Sequence, residues 1–142
     1  MATSDSESVF LDALQAALAG EHAAVWASGR AAGELSGGRR TQALKELDVH
    51  RRERDDLSQQ ASALGSQPVD AAAAYIEPFP VDSPRAGRRL MADVNEALAA
   101  TYADVAAASP PAARRSAVAR SAAAAVRAIE WGAEPEAFPG AP

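Results

Sequence analysis

Residues 66–83 read SQPVDAAAAYIEPFPVDS. The stretch joins two segments of helical periodicity, and Pro68, Pro78 and Pro80 exclude it from being a continuation of either. It is too long for a tight turn. A helix of about 24 residues is roughly 36 Å long, and eighteen extended residues reach roughly 60 Å. The joint can therefore run the length of the helices it connects and leave them parallel, with Tyr75, Ile76 and Phe79 expected as apolar anchors against them.

Outward from this stretch the chain reads as helix on both sides. Alanine occurs 38 times in 142 residues and isoleucine only twice, as Ile76 and Ile129. Ala is the strongest helix former and β-branched residues favour strands, so the composition predicts an all-α fold packed through small side chains. Residues 1–142 read as one domain with helices over about 6–32, 39–64, 84–108 and 111–131 and an extended tail over 133–142. Leu11, Leu14, Leu18 and Val25 form the first apolar stripe. Gly33, Gly37 and Gly38 mark its end. Leu44, Leu47, Leu57, Ala61 and Leu64 serve the second helix, with Gly65 as C-cap. Ser83 and Pro84 open the third, which carries Leu90, Val94, Ala97, Leu98, Thr101 and Val105. Ser109-Pro110-Pro111 ends it, and the fourth helix is read with Val118, Ala122, Val126 and Ile129 facing inward.

Short joints between helices one and two, and three and four, make antiparallel neighbours. With one long crossover between helices two and three, the predicted architecture is a four-helix bundle of ferritin-like topology. Particular motifs point the same way: Tyr75-Ile76-Glu77-Pro78-Phe79-Pro80-Val81 in the crossover, Gly20-Glu21-His22-Ala23-Ala24-Val25 in helix one, His50-Arg51-Arg52 in helix two and Ala137-Phe138-Pro139-Gly140 at the close. On these residues the chain resembles a ferritin-like family of unknown function that is common in actinobacteria. The resemblance implies the bundle fold and implies no activity.

Several function classes are excluded by composition. There is no cysteine, which removes disulfides, thiol catalysis and Cys-based metal sites. The formal net charge of −5 opposes bulk binding of nucleic acid. The start of the chain lacks the basic residues and unbroken apolar run of a signal peptide, and no apolar stretch is long enough for a membrane span, so a cytoplasmic location is expected. Phosphate-binding loops, nucleophile elbows and His-Glu-x-x-His zinc motifs do not occur.

Polar residues on apolar seams are the remaining signal. The heptad through Leu11, Leu14 and Leu18 reaches Glu21, and the one through Ala43 and Leu47 reaches His50 and Arg54. Antiparallel pairing puts these midpoints level, so Glu21, His50 and Arg54 are predicted to meet as a buried polar network. The competing reading is metal. Ferritin-like di-iron proteins take a Glu from each of two helices and Glu-x-x-His from the other two. The candidate ligands for iron are Glu21, Glu46, His50 and Asp93, but Glu46 and His50 are spaced by four and the middle of helix four offers Arg120 and Arg127. The sequence thus favours a non-catalytic bundle without a cofactor that acts through association, with a homodimer as the simplest partner. A degenerate metal-binding oxidase and a bundle holding a small ligand are the alternatives.

Overall fold

The computed structural model describes residues 2–138. Four helices account for most of them: α1 (Ala2–Glu34), α2 (Gly37–Ala63), α3 (Pro84–Ala108) and α4 (Pro111–Glu130). No strand occurs among the described residues. Among the described residues no helix is long and apolar enough to cross a membrane.

The α1–α2 joint is shorter than its glycines suggest. Helix α1 continues through Gly33, where Arg30 pairs with Glu34 at 2.9 Å, one helical turn on. Buried Leu35 then donates its N–H to the Ala31 carbonyl at 3.1 Å. The reversal falls on Ser36, extended at φ −138°, and Gly37, whose φ of +54° suits a residue without Cβ. Helix α3 begins as its sequence indicates, with Ser83 Oγ accepting from the Ala86 N–H at 3.1 Å and Pro84 in the first turn.

Contacts along α1 give the path of the crossover. The Gln15 amide donates to Ser66 Oγ at 3.1 Å and to the Gln67 carbonyl at 2.8 Å, and it accepts from the Val69 N–H at 2.8 Å. The Trp26 and Tyr75 rings stack with centroids 5.4 Å apart. Arg30 meets Glu77 at 2.5 Å and also donates to the Val81 carbonyl. Residues 15, 26 and 30 are thus met in the order 66–69, 75 and 77–81, so the crossover runs in the direction of α1. It delivers α3 antiparallel to α1 and parallel to α2. Gly87 lies 3.3 Å (from an ideal Cβ) from the Ala31 carbonyl, and Gly20 lies 3.0 Å from Leu98, as an antiparallel α1–α3 pair requires.

Three side-chain placements correct the sequence reading. In the crossover, Ile76 is 93% exposed and is no anchor. Val81 is buried instead, and Phe79 is half-buried with the Arg89 guanidinium 4.1 Å above its ring. On α2 the buried positions are Ala43, Glu46, His50, Leu57 and Ala61. The seam steps three residues from Ala43, to Glu46, and not four to Leu47. On α4 the inward face is Ala117, Ser121, Ala124 and Ala128, while Val118, Val126 and Ile129 are 53%, 55% and 43% exposed and Ala122 is exposed. Small residues take the inward positions because α4 lies close against α3, where Ser121 Oγ donates to the Ala99 carbonyl at 2.7 Å.

Two apolar clusters fill the interior. One gathers Leu14, Leu18, Leu57, Leu98 and Val105, the other Ala31, Leu35, Val81, Leu90, Met91 and Trp131. After α4 the chain turns at Gly132, φ +112°, and comes back along the α3–α4 groove. There Glu134 and Glu136 lie beside Glu96 and Ile129, and Phe138, 79% exposed, lies by Ala103 and Val118. The last residues of the expected tail, Pro139 to Pro142, lie outside the described residues.

The Glu77–Arg30 clasp makes the crossover sensitive to acid. The Arg30 guanidinium, and then the Val81 N–H, hold the Glu77 carboxyl below the usual glutamate range. A carboxyl with a lowered folded value stabilises the fold fully above its ordinary range of about 4.3 and loses that contribution as pH falls through the folded value. The Val81 amide, which donates to Glu77 Oε2 at 3.2 Å, is expected to lose hydrogen-exchange protection on that descent. Glu77→Ala is expected to lose it already at neutral pH. Protection unchanged by both would show that the clasp does not hold the crossover.

Candidate functional site

Between the two apolar clusters lies a polar belt. Glu21 on α1 is wholly buried. Its Oε2 lies 2.7 Å from His50 Nδ1, and its Oε1 accepts from the Tyr102 hydroxyl at 2.6 Å. Helices α1, α2 and α3 therefore meet on one carboxylate. Burial, followed by the charge of Glu21 and the hydrogen bond to it, pushes the Tyr102 phenol far above its usual range, so the hydroxyl stays protonated as a donor. Since a carboxylate only accepts, the proton on the imidazole is assigned to Nδ1. The other ring nitrogen, His50 Nε2, is buried with no hydrogen-bond partner.

A second carboxylate sits one turn before His50 on α2. Glu46 Oε1 accepts from Trp131 Nε1 at 2.7 Å, and Oε2 accepts from Asn95 Nδ2 at 3.2 Å. Asn95 Nδ2 also donates to the Met91 carbonyl at 2.9 Å, and Asn95 Oδ1 accepts from Arg127 Nε at 2.9 Å. This set ties α2, α3 and α4 together as the first ties α1, α2 and α3.

Arg54 does not reach Glu21. It turns to its neighbour Asp55 at 2.9 Å, with its side chain 30% exposed. The cause is the same phase shift of α2. The inward position before Leu57 falls at Glu53, and Arg54 lies about 100° further round the helix. The arginine that closes this part of the bundle comes from α4. Arg120 pairs with Glu53 and Asp56, each at 2.5 Å, and lies 6.0 Å from the Tyr102 ring centroid.

Asp93 is exposed and lies 3.8 Å from Arg89. Among the described residues no three His, Asp or Glu side chains are gathered as a metal site. Both oxygens of Glu21 and both of Glu46 are engaged by protein donors, and α4 presents arginines to the belt. With arginines and no carboxylate or histidine from α4, the belt lacks the ligands that a di-metal centre takes from its fourth helix.

Tyr102, Asn95 and Trp131 complete the belt; Trp131 reads from the sequence as a packing or interface anchor, while Tyr102 and Asn95 fall outside the stripes drawn there. The signal was present on α3. Met91, Asn95, Leu98, Tyr102 and Val105 step by four, three, four and three, so Asn95 and Tyr102 are polar residues on an apolar seam, as Glu21 is on α1. A stripe drawn through Leu90, Val94, Ala97 and Thr101 hid them.

Deleting one member of the Glu21 set strands the others. Glu21→Ala leaves the His50 Nδ1 and Tyr102 hydroxyl donors without an acceptor and is expected to cost about 1–3 kcal/mol for each. Tyr102→Phe removes one hydrogen bond to a charged group and is expected to cost about 1.5–3 kcal/mol. Arg54→Ala is expected to stay within about 0.5 kcal/mol. Double-mutant cycles by urea unfolding check the assignment: coupling between Glu21 and Tyr102 well above that between Glu21 and Arg54. Equal couplings would contradict the belt.

No curated protein matches the sequence. Among solved structures, a conserved hypothetical protein from Mycobacterium tuberculosis is similar, with a TM-score of 0.83 and 30% identity over 87% of this chain and 95% of that one. The family model described as "Domain of unknown function (DUF4439)" matches residues 13–142. That match covers nearly the whole chain and all four helices, and the chain belongs to the DUF4439 family.

Proposed function

We propose that the chain is a ferritin-like bundle that has no resident metal and acts through association with a second copy of itself. The parallel α2 and α3, joined by a crossover along α1, support the ferritin-like reading. The engaged oxygens of Glu21 and Glu46 support the reading without a metal.

One observation carries the association: the larger apolar residues of α4 point away from its own bundle. Ala119, Ala122, Val126 and Ile129 follow a three-four-three spacing on the exposed side, the pattern of a helix seam. The inward side holds only Ala117, Ser121, Ala124 and Ala128. A stripe on one helix is self-complementary about a two-fold axis. Antiparallel pairing of α4 with α4 of the second copy sets Arg115 near one end of the stripe against Glu130 at the other, and opposes the two helix dipoles. Parallel pairing would bring the arginines together.

A twenty-residue helix is about 30 Å long, and a contact strip about 10 Å wide covers roughly 300 Å². A standard stable interface needs about 800 Å² per partner. The dimer is therefore weak unless the flanking α3 surface joins it, and it depends on concentration. Sedimentation equilibrium is expected to show a reversible monomer–dimer equilibrium in the micromolar range. Val126→Glu is expected to leave a folded monomer with unchanged helical content. A wild-type protein that stays monomeric at every concentration, or a variant that dimerises equally well, would overturn the reading.

A further inference from the structure

We propose that the space beside Tyr102, between all four helices, is a binding site for a small neutral aromatic molecule of about the size of benzene or phenol. The site is separate from the outer face of α4 and does not depend on the association proposed above. Its volume is about 170 Å³. The space opens to solvent beside Ser116, unlike the closed apolar cavity of about 150 Å³ that takes up benzene in another helical protein, but its volume is similar.

The walls are apolar. Leu14 comes from α1, Leu57 from α2, Val105 from α3, and Ala113 and Ala117 from α4. The opening has a simple cause: α4 supplies alanines at a level where the other helices supply leucine, valine and tyrosine, so the fourth wall is thin. Phe10 is shared between this space and an open groove at the end of the bundle, beside Leu11 and Leu64, which gives a route inward.

The polar groups on the walls settle the ligand's charge. Tyr102 donates to Glu21 at 2.6 Å, and Ser109 Oγ donates to the Val105 carbonyl at 2.6 Å. Arg120 is matched by two carboxylates, Glu53 and Asp56. A further anion would find this guanidinium already matched by two carboxylates, and a cation would find no carboxylate among the lining residues. The donors of Tyr102, Ser109 and Arg120 on the walls are already committed to protein acceptors. The side-chain amide of Gln60 and the hydroxyl of Ser116 lie at the edge and can meet one hydroxyl of a ligand.

Titration of the full chain with benzene and with phenol, followed by methyl and amide NMR, tests the site. Saturable shifts at Leu14, Val105 and Tyr102 are expected, with ligand-to-methyl NOEs at Leu14 and Val105 and a raised melting temperature. Ala117→Leu fills the space and is expected to weaken binding at least tenfold. Ala113→Leu, at a less buried position, serves the same purpose should Ala117→Leu not fold, and the wild-type NOEs stand without either variant. No saturable shift in the wild type would overturn the proposal. So would NOEs to other residues, or undiminished binding in a folded filled variant.

Discussion

A carboxylate out of reach of water dictates what surrounds it. Moving an ionised carboxyl into a protein interior costs several kcal/mol even after relaxation, unless donors replace the lost hydration. Glu21 has no exposed surface, because α1 approaches α3 so closely that Gly20 lies against Leu98. Its two oxygens can be satisfied only by side chains on other helices, and those are His50 and Tyr102. A one-residue slip of α2 or α3 along α1 would turn the donor away by about 100° and leave the charge bare. Apolar packing among alanines discriminates poorly between registers, since one methyl group fits much like the next. The hydrogen bonds of Glu21 supply that discrimination, and those of Glu46 extend it to α4.

The same groups carry the proposed contrast between this bundle and a di-iron one. In both, acidic residues point inward from the middle of the helices. Here each carboxylate oxygen faces a protein donor, from Tyr102, Trp131, Asn95 or His50. Positive charge comes from the guanidinium groups of Arg120 and Arg127, which pair with Glu53, Asp56 and Asn95. These are fixed cations on the fourth helix, in the place where a di-metal protein keeps Glu and His.

The helices and the crossover were legible in the sequence because their signals are local or cumulative. Alanine content, the Ser83-Pro84 start and the prolines of residues 66–83 each act through backbone preferences that need no partner. The meeting of Glu21 and His50 was also legible, as two polar residues level on two seams. What was not legible is rotational phase. On α2 a seam can step from Ala43 to Glu46 or to Leu47, and hydrophobicity argues for the leucine. The structure takes the glutamate, because Trp131 and Asn95 are waiting for it across the bundle. On α4 the larger apolar residues argued for one face, and the closeness of α3 required the other. Both errors share an origin: a residue's fitness for the interior was judged by its own side chain and not by the space and partners opposite.

Helix α4 shows where that difference leads. In an ordinary amphipathic helix the large apolar residues enter the core, and burial of each contributes about 1.5–3 kcal/mol. In this chain α4 gives its own bundle alanine and serine, and keeps Val118, Val126 and Ile129 outside. Its attachment therefore rests on close backbone approach to α3 and on polar bonds from Arg120, Arg127 and Trp131. Two consequences follow from this one choice. The inward face fills its end of the bundle incompletely, so space remains beside Tyr102 and Ala117. The outward face retains apolar surface at Val118, Val126 and Ile129 that the returning tail covers only in part. A helix selected only to stabilise this monomer would have the reverse pattern, and that is the physical reason to look for the function of the chain at the two faces of α4.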